Sequence, residues 1–138
     1  MANAIAKVLA DDVLNWFKGA AFATAPTTTY LALLTAVPTK NDGTGLAEVS
    51  GSSYARQGVA STGWSAISQS ADTIHDQISN AAAITFPAVT TTAYTVVGVA
   101  IYDALTAGNL LLYQAVTSQA VAVGNSYSLA AGNLTLEF

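Results

Sequence analysis

The sequence predicts a mainly β protein, an antiparallel β-sandwich of jelly-roll or Greek-key type preceded by an N-terminal α-helix. Three observations predict this. From residue 27 onward, Thr, Val, Tyr and Ile dominate short segments separated by frequent turn residues. Gly-Asn occurs at 108–109, 124–125 and 132–133, each time between β-like segments, and this pair is a hairpin-turn signal. The first eighteen residues instead carry apolar groups at helical spacing. The 138 residues fit one sandwich domain, residues 27–138, behind a helix and linker, residues 1–26.

The helix is placed over residues 3–18, with Ile5, Val8, Leu9, Val13, Trp16 and Phe17 on one face. Asn3 is the candidate N-cap, and Gly19 after Lys18 is the stop. Thr28–Val37 reads as the first strand, and the turn-rich run Asn41-Asp42-Gly43-Thr44-Gly45 places a loop over Pro38–Ser50. Ser53–Ala60 and Gly63–Ser68 read as strands, the polar stretch Gln69–Asn80 as a loop, and Ala82–Phe86 as a strand ended by Pro87. Tyr94–Tyr102 is apolar and β-branched, the pattern of a central buried strand. Leu110–Val116, Ala120–Val123, Ser126–Leu129 and Leu134–Phe138 follow between the Gly-Asn turns. About eight short strands with regular turns give a sandwich, without ordering the strands in it. Leu31, Leu33, Ile84, Phe86, Val97, Val99 and Ile101 are the expected core, and Leu134, Leu136 and Phe138 share one face of the last strand.

Charge is the unusual quantity. Four basic and eight acidic side chains make up 9% of the chain, against about 25% in ordinary soluble domains. A surface so poor in charge suits contact with other proteins, since interface cores are depleted in charge. The net charge of −4 and the scattered Lys7, Lys18, Lys40 and Arg56 argue against a nucleic-acid partner. The long uncharged runs are broken by Pro87, Thr90-Thr91-Thr92 and the Gly-Asn pairs, so none offers the ~20 predominantly apolar residues of a membrane helix. Asp11 and Asp12 interrupt what would be the apolar core of a secretory signal. With no cysteine, disulfides and thiolate metal sites are excluded.

Catalytic chemistry is not expected. The single histidine, His75, lies near Asp72 and Asp76, but no organised nucleophile accompanies it, so it reads as a solvated loop residue. Asp42 lacks the spacing of a calcium loop, adjacent Asp11 and Asp12 point about 100° apart on a helix, and no phosphate-cradling glycine motif is present. No metal and no cofactor are expected. Three residues are candidate partner contacts. Trp16 and Phe17 are the largest apolar groups on the helix, there either to cover the end of the sandwich or to dock on a neighbouring subunit. Arg56, the one arginine, sits in Tyr54-Ala55-Arg56-Gln57. There it is expected in a fixed ion pair or stacked on a ring, with an intersubunit contact as the alternative.

The order Tyr30-Leu31-Ala32-Leu33, Glu48-Val49-Ser50-Gly51, Tyr54-Ala55-Arg56-Gln57 and Ile84-Thr85-Phe86-Pro87 resembles a family of small tailed-bacteriophage virion structural proteins, commonly labelled phage tail fibre proteins. Gly98-Val99-Ala100-Ile101-Tyr102-Asp103, Gly108-Asn109-Leu110-Leu111 and Ala131-Gly132-Asn133-Leu134 continue the likeness, which runs from about residue 2 to the C-terminus. One departure is Ala93-Tyr94, where relatives tend to carry Trp. The resemblance implies a part of the virion, assembled in the bacterial host cytoplasm. A compact domain without a shaft-building repeat is expected to act as a capsid decoration (cement) protein on the major capsid protein lattice. The alternative is a tail, baseplate or tail-fibre-base component bound to tail proteins. A homo-oligomer is expected, with a trimer favoured, as is common for capsid decoration proteins.

Overall fold

A computed structural model describes residues 4–138. In chain order the elements are β1 (Ala4–Ile5), α1 (Lys7–Phe17), β2 (Thr28–Ala36), β3 (Ala47–Glu48), β4 (Gln57–Ala60), a 3-10 turn (Ser61–Gly63), β5 (Ser68–Gln69), β6 (Asp76–Ser79), β7 (Ile84–Thr85), β8 (Tyr94–Tyr102), β9 (Leu110–Val121), β10 (Ser128–Leu129) and β11 (Thr135–Glu137). The predicted class stands: mainly β, antiparallel, with one N-terminal helix.

The large sheet runs β1-β9-β8-β2-β3, and β4 joins the same edge of β2 beyond β3. A two-stranded sheet, β10-β7, and a three-stranded sheet, β11-β6-β5, complete the sandwich. Strand alternation decides what each face holds. Leu31 and Leu33 of β2, Val99 and Ile101 of β8 and Leu112 of β9 share one core with Phe86, Tyr127, Leu134 and Leu136 from the other layer. The opposite face carries Ala32, Leu34, Ala100 and Tyr102, packed against Val37, Leu46, Leu110 and Tyr113. The central strand β8 spans the residues expected of it, and Gly98–Tyr102 are buried without a break. A strand covered on both faces loses the apolar–polar alternation of a half-exposed one.

Several sequence expectations are corrected. The helix begins at Lys7 with Ala6 as N-cap, because Ala4 and Ile5 are taken into the sheet opposite Tyr113 and Leu112; Asn3 lies outside the described residues. Gln69–Asn80 is not all loop: β6 pairs with β11 and β5, and its Ile78 packs on the core. Tyr54–Arg56 are outside any strand, and the expected strand 63–68 is the 3-10 turn, a single Trp64–Asn80 bridge and two-residue β5. The two strands expected over 110–123 are one, β9, whose pairing with β8 jumps from Ala115 opposite Gly98 to Gln119 opposite Val96. That irregularity moves Val96 into the core and leaves Val97 half-buried. Ile84 is likewise half-buried, and Phe138, although its backbone pairs with that of Asp76, has an exposed side chain. Gly108-Asn109 closes a true hairpin, β8–β9, but Gly124-Asn125 and Gly132-Asn133 carry the chain between sheets, since β10 pairs with β7 and β11 with β6. A Gly-Asn pair encodes a tight local reversal; the next strand's partner is set by the layer that needs its apolar face.

Candidate functional site

The leading helix is supported at one end only. Eleven residues are marginal for an isolated helix, and α1 has no side-chain N-cap bond. Its first turn is held by the sheet: the Ala6 N–H donates to the Leu111 carbonyl (2.9 Å), the Lys7 N–H to that of Asn41 (2.7 Å), and Leu9 packs on the core. Lys7 and Asp11 add an exposed i,i+4 ion pair at 2.6 Å. From Leu14 through Thr27 every residue is exposed. Gly19, at φ +86°, donates its N–H to the Trp16 carbonyl and ends the helix, the left-handed stop for which glycine is suited.

Both helix candidates lie in this exposed stretch. Trp16 is 53% and Phe17 75% exposed, so of the two expected uses, neither side chain covers its own sandwich. They meet edge to face with ring centroids 5.2 Å apart, and Phe22 stacks on Trp16 at 6.0 Å. With Leu14 beside them they form an aromatic arm. Where the arm leaves the sandwich, an apolar cleft of about 330 Å³ opens at the core edge, lined by Leu9, Pro26, Trp64, Ile78, Leu111 and Leu136 among others. The chain exposes 7524 Å², above the roughly 6,700 Å² of a compact monomer of its mass.

Arg56 takes the opposite part. Its guanidinium donates from Nε to Glu48 Oε1 (2.9 Å) and from Nη2 to Oε2 (2.7 Å), a bidentate pair. Nη1 donates to the carbonyls of Ala104 (2.9 Å) and Ala107 (2.8 Å), and the guanidinium carbon lies 3.6 Å from the centroid of the Tyr102 ring. Ion pair and ring stacking are therefore both present. The Arg56 side chain is only 9% exposed, with its donors spent inside the chain. The Glu48 carboxylate raises the guanidinium's pKa further, against the effect of burial.

Tyr54 belongs to the same knot. Between β3 and β4 the edge of β2 has a gap, where the Leu33 N–H has no strand opposite it. That N–H donates to the Tyr54 hydroxyl (3.0 Å), which donates to Glu48 Oε1 (2.8 Å). Burial pushes the Tyr54 phenol's pKa well up. Across the knot, Asp103 accepts from the backbone N–H and side-chain amide of Asn109, both at 2.7 Å, and Gly108 takes φ +75°. Glu48, Tyr54, Arg56, Tyr102, Asp103, Gly108 and Asn109 thus join β3, the segment leading into β4 and the β8–β9 hairpin. These segments are among those that carry the sequence resemblance, and what they build is a structural staple.

His75 is exposed in the turn before β6, as expected, but it is not alone. The Asp72 carboxylate accepts from the Ser70 hydroxyl (2.6 Å) and the Ile74 N–H (3.0 Å) and pairs with His75 Nδ1. Glu137 Oε1 stands 3.7 Å from the same nitrogen. The Ser70 hydroxyl and the Ile74 N–H hold the Asp72 carboxyl well below the usual range, and Asp72 raises the imidazole. Asp76 lies outside the group. Sequence reasoning saw Asp72 and missed Glu137, which reaches the turn only because β11 pairs with β6.

Residues 4–137 match the family described as Podophage GP4 fiber I protein gp80. The chain belongs to this family. It is accordingly a bacteriophage structural protein of fibre type, and its place is the virion. A search of curated proteins gives no match. Among the described residues no helix is long and apolar enough to cross a membrane.

Proposed function

We propose that the chain is a non-catalytic subunit of the phage tail-fibre apparatus, at the fibre or its base, and that it self-associates by placing the aromatic arm of one copy against the core-edge cleft of the next. Membership in a fibre family favours this position over capsid decoration. The observation that carries the contact is the exposed Trp16–Phe17–Phe22 cluster beside an open apolar cleft of the same chain. Soluble monomers rarely leave large contiguous apolar patches bare. Aromatic anchors filling pockets are the residues that dominate interface energies. A head-to-tail contact of this kind is heterologous, and it closes into rings when the rotation permits; three copies make the smallest such ring, which favours a trimer.

Two measurements test the reading. Sedimentation of the purified chain should give a concentration-dependent oligomer that Trp16→Ala/Phe17→Ala reduces to monomer without loss of fold. Quantitative mass spectrometry of virions should give a few to dozens of copies per particle. Hundreds of copies would restore the capsid-decoration reading, and a monomer at all concentrations would end the arm-to-cleft contact.

A further inference from the structure

Asp72, His75 and Glu137 each present one ligand atom, and the three atoms lie within 4.8 Å of one another. They arrive from separate parts of the chain. Asp72 and His75 stand in the turn between β5 and β6, and Glu137 is placed beside it by the register Glu137 opposite Gln77 on β6. The Phe138 and Asp76 backbones exchange two hydrogen bonds of 3.0 Å, which fixes the approach of the C-terminal strand.

We infer that this cluster is a binding site for one divalent transition cation, with Zn²⁺ the best match, and that the ion clamps the C-terminal strand to the β5–β6 turn. The donor set decides the class: imidazole nitrogen selects Zn²⁺ and its neighbours over Ca²⁺ or Mg²⁺, and two carboxylates complete a three-ligand set that zinc accepts. Charge points the same way. Two carboxylates and a neutral imidazole balance one divalent ion, whereas without it two like charges face a single ring in a chain with few charges to spare. Ligands at about 2.0–2.2 Å around a tetrahedral ion stand roughly 3.3–3.6 Å apart. The 3.7 Å between His75 Nδ1 and Glu137 Oε1 is close to that already, and the exposed Asp72–His75 pair has only to open slightly. Asp72 Oδ1 is held by Ser70, Ile74 and the His75 N–H, so Oδ2, which pairs with His75 Nδ1 in the absence of an ion, is the oxygen that turns to the metal, the outer-shell orientation typical of metal carboxylates. Partial exposure of all three side chains leaves the fourth position to water.

The test is calorimetric titration of the full chain, stripped with EDTA, with ZnCl₂ at pH 7.5, alongside thermal melts with and without zinc. One Zn²⁺ per chain and a melting temperature that rises with zinc are expected. His75→Ala and Glu137→Gln should each weaken binding by about tenfold or more, while melting near wild type in EDTA. Glu137→Gln keeps the shape of β11, so its loss of binding is not a loss of fold. No saturable binding by wild type, or wild-type affinity retained in both variants, would overturn the site. Neither result bears on the fibre assignment or the aromatic arm.

Discussion

Two aromatic triplets of the same chemistry meet opposite fates in this chain. Tyr54, Phe86 and Tyr127 close the core: Phe86 is 1% exposed, stacked on Tyr54 at 6.1 Å and edge-on to Tyr127 at 6.3 Å. Trp16, Phe17 and Phe22 make contacts of similar length and stand in solvent. The difference is what lies around the rings. The inner triplet is enclosed by strands of both layers; the outer one has only its own arm, because α1 is anchored at its first turn and nothing follows it back onto the sheet. Burial gives the inner triplet a share in stability, and exposure leaves the outer one free for association.

The largest effect should come from breaking the inner triplet. Phe86→Ala is expected to cost about 3–5 kcal/mol, read as a lower midpoint in urea unfolding; a loss below 1 kcal/mol would mean that the two layers are not one core. Next is the staple. Arg56→Ala removes both guanidinium bonds to Glu48 and the donors of two backbone carbonyls and should cost about 1–3 kcal/mol. Arg56→Lys should recover only part of it, since lysine lacks the bidentate fork. Loss of oligomerisation at unchanged monomer stability would move Arg56 from the staple to an interface.

Trp16→Ala should change monomer stability by less than about 0.5 kcal/mol while shifting the sedimentation equilibrium toward monomer. A melting temperature lowered as far as in Phe86→Ala would show that the arm packs on its own sandwich and erase the contrast between the triplets. The smallest effect belongs to His75. Its raised pKa means that its contribution is fully present below the unfolded value of 6.5 and is lost as pH rises through the folded pKa. The lowered Asp72 pKa means that its contribution is present above 3.8 and lost as pH falls through the folded value. In EDTA, the difference in melting temperature between wild type and His75→Ala should therefore be greatest between about pH 4 and 6.5 and fade in alkali; a difference that grows with pH would reverse the sign assigned to the pair.

How much of this was legible in the sequence depended on the range of each interaction. Class and central strand were legible, because alternation, β-branched runs and turn residues act over a few positions, and Tyr94–Tyr102 came out residue for residue. So was the glycine stop of the helix. The staple was half legible: a lone arginine among Tyr and Gln called for an ion pair or a ring, and both partners, Glu48 and Tyr102, were beyond local reading. The Thr117-Ser118-Gln119 stretch was read as a break in β9 because the irregular pairing with β8 has no local signature. Polar Gln69–Asn80 hid β6 because only Ile78 in that strand faces the core.

By itself the sequence determined that the chain is mainly β with a leading helix, poor in charge, and similar throughout to phage structural proteins. These properties follow from local pattern and composition, which any fold of the chain must respect. Tertiary structure alone decided that Ala4 and Ile5 extend a sheet instead of a helix, that two of three Gly-Asn turns lead to another sheet, that Trp16 and Phe17 stay uncovered, and that Glu137 meets His75. Each depends on which distant strands pair. Backbone hydrogen bonds bring together residues whose separation along the chain carries no mark of their contact, and pairing is chosen by the burial of whole faces.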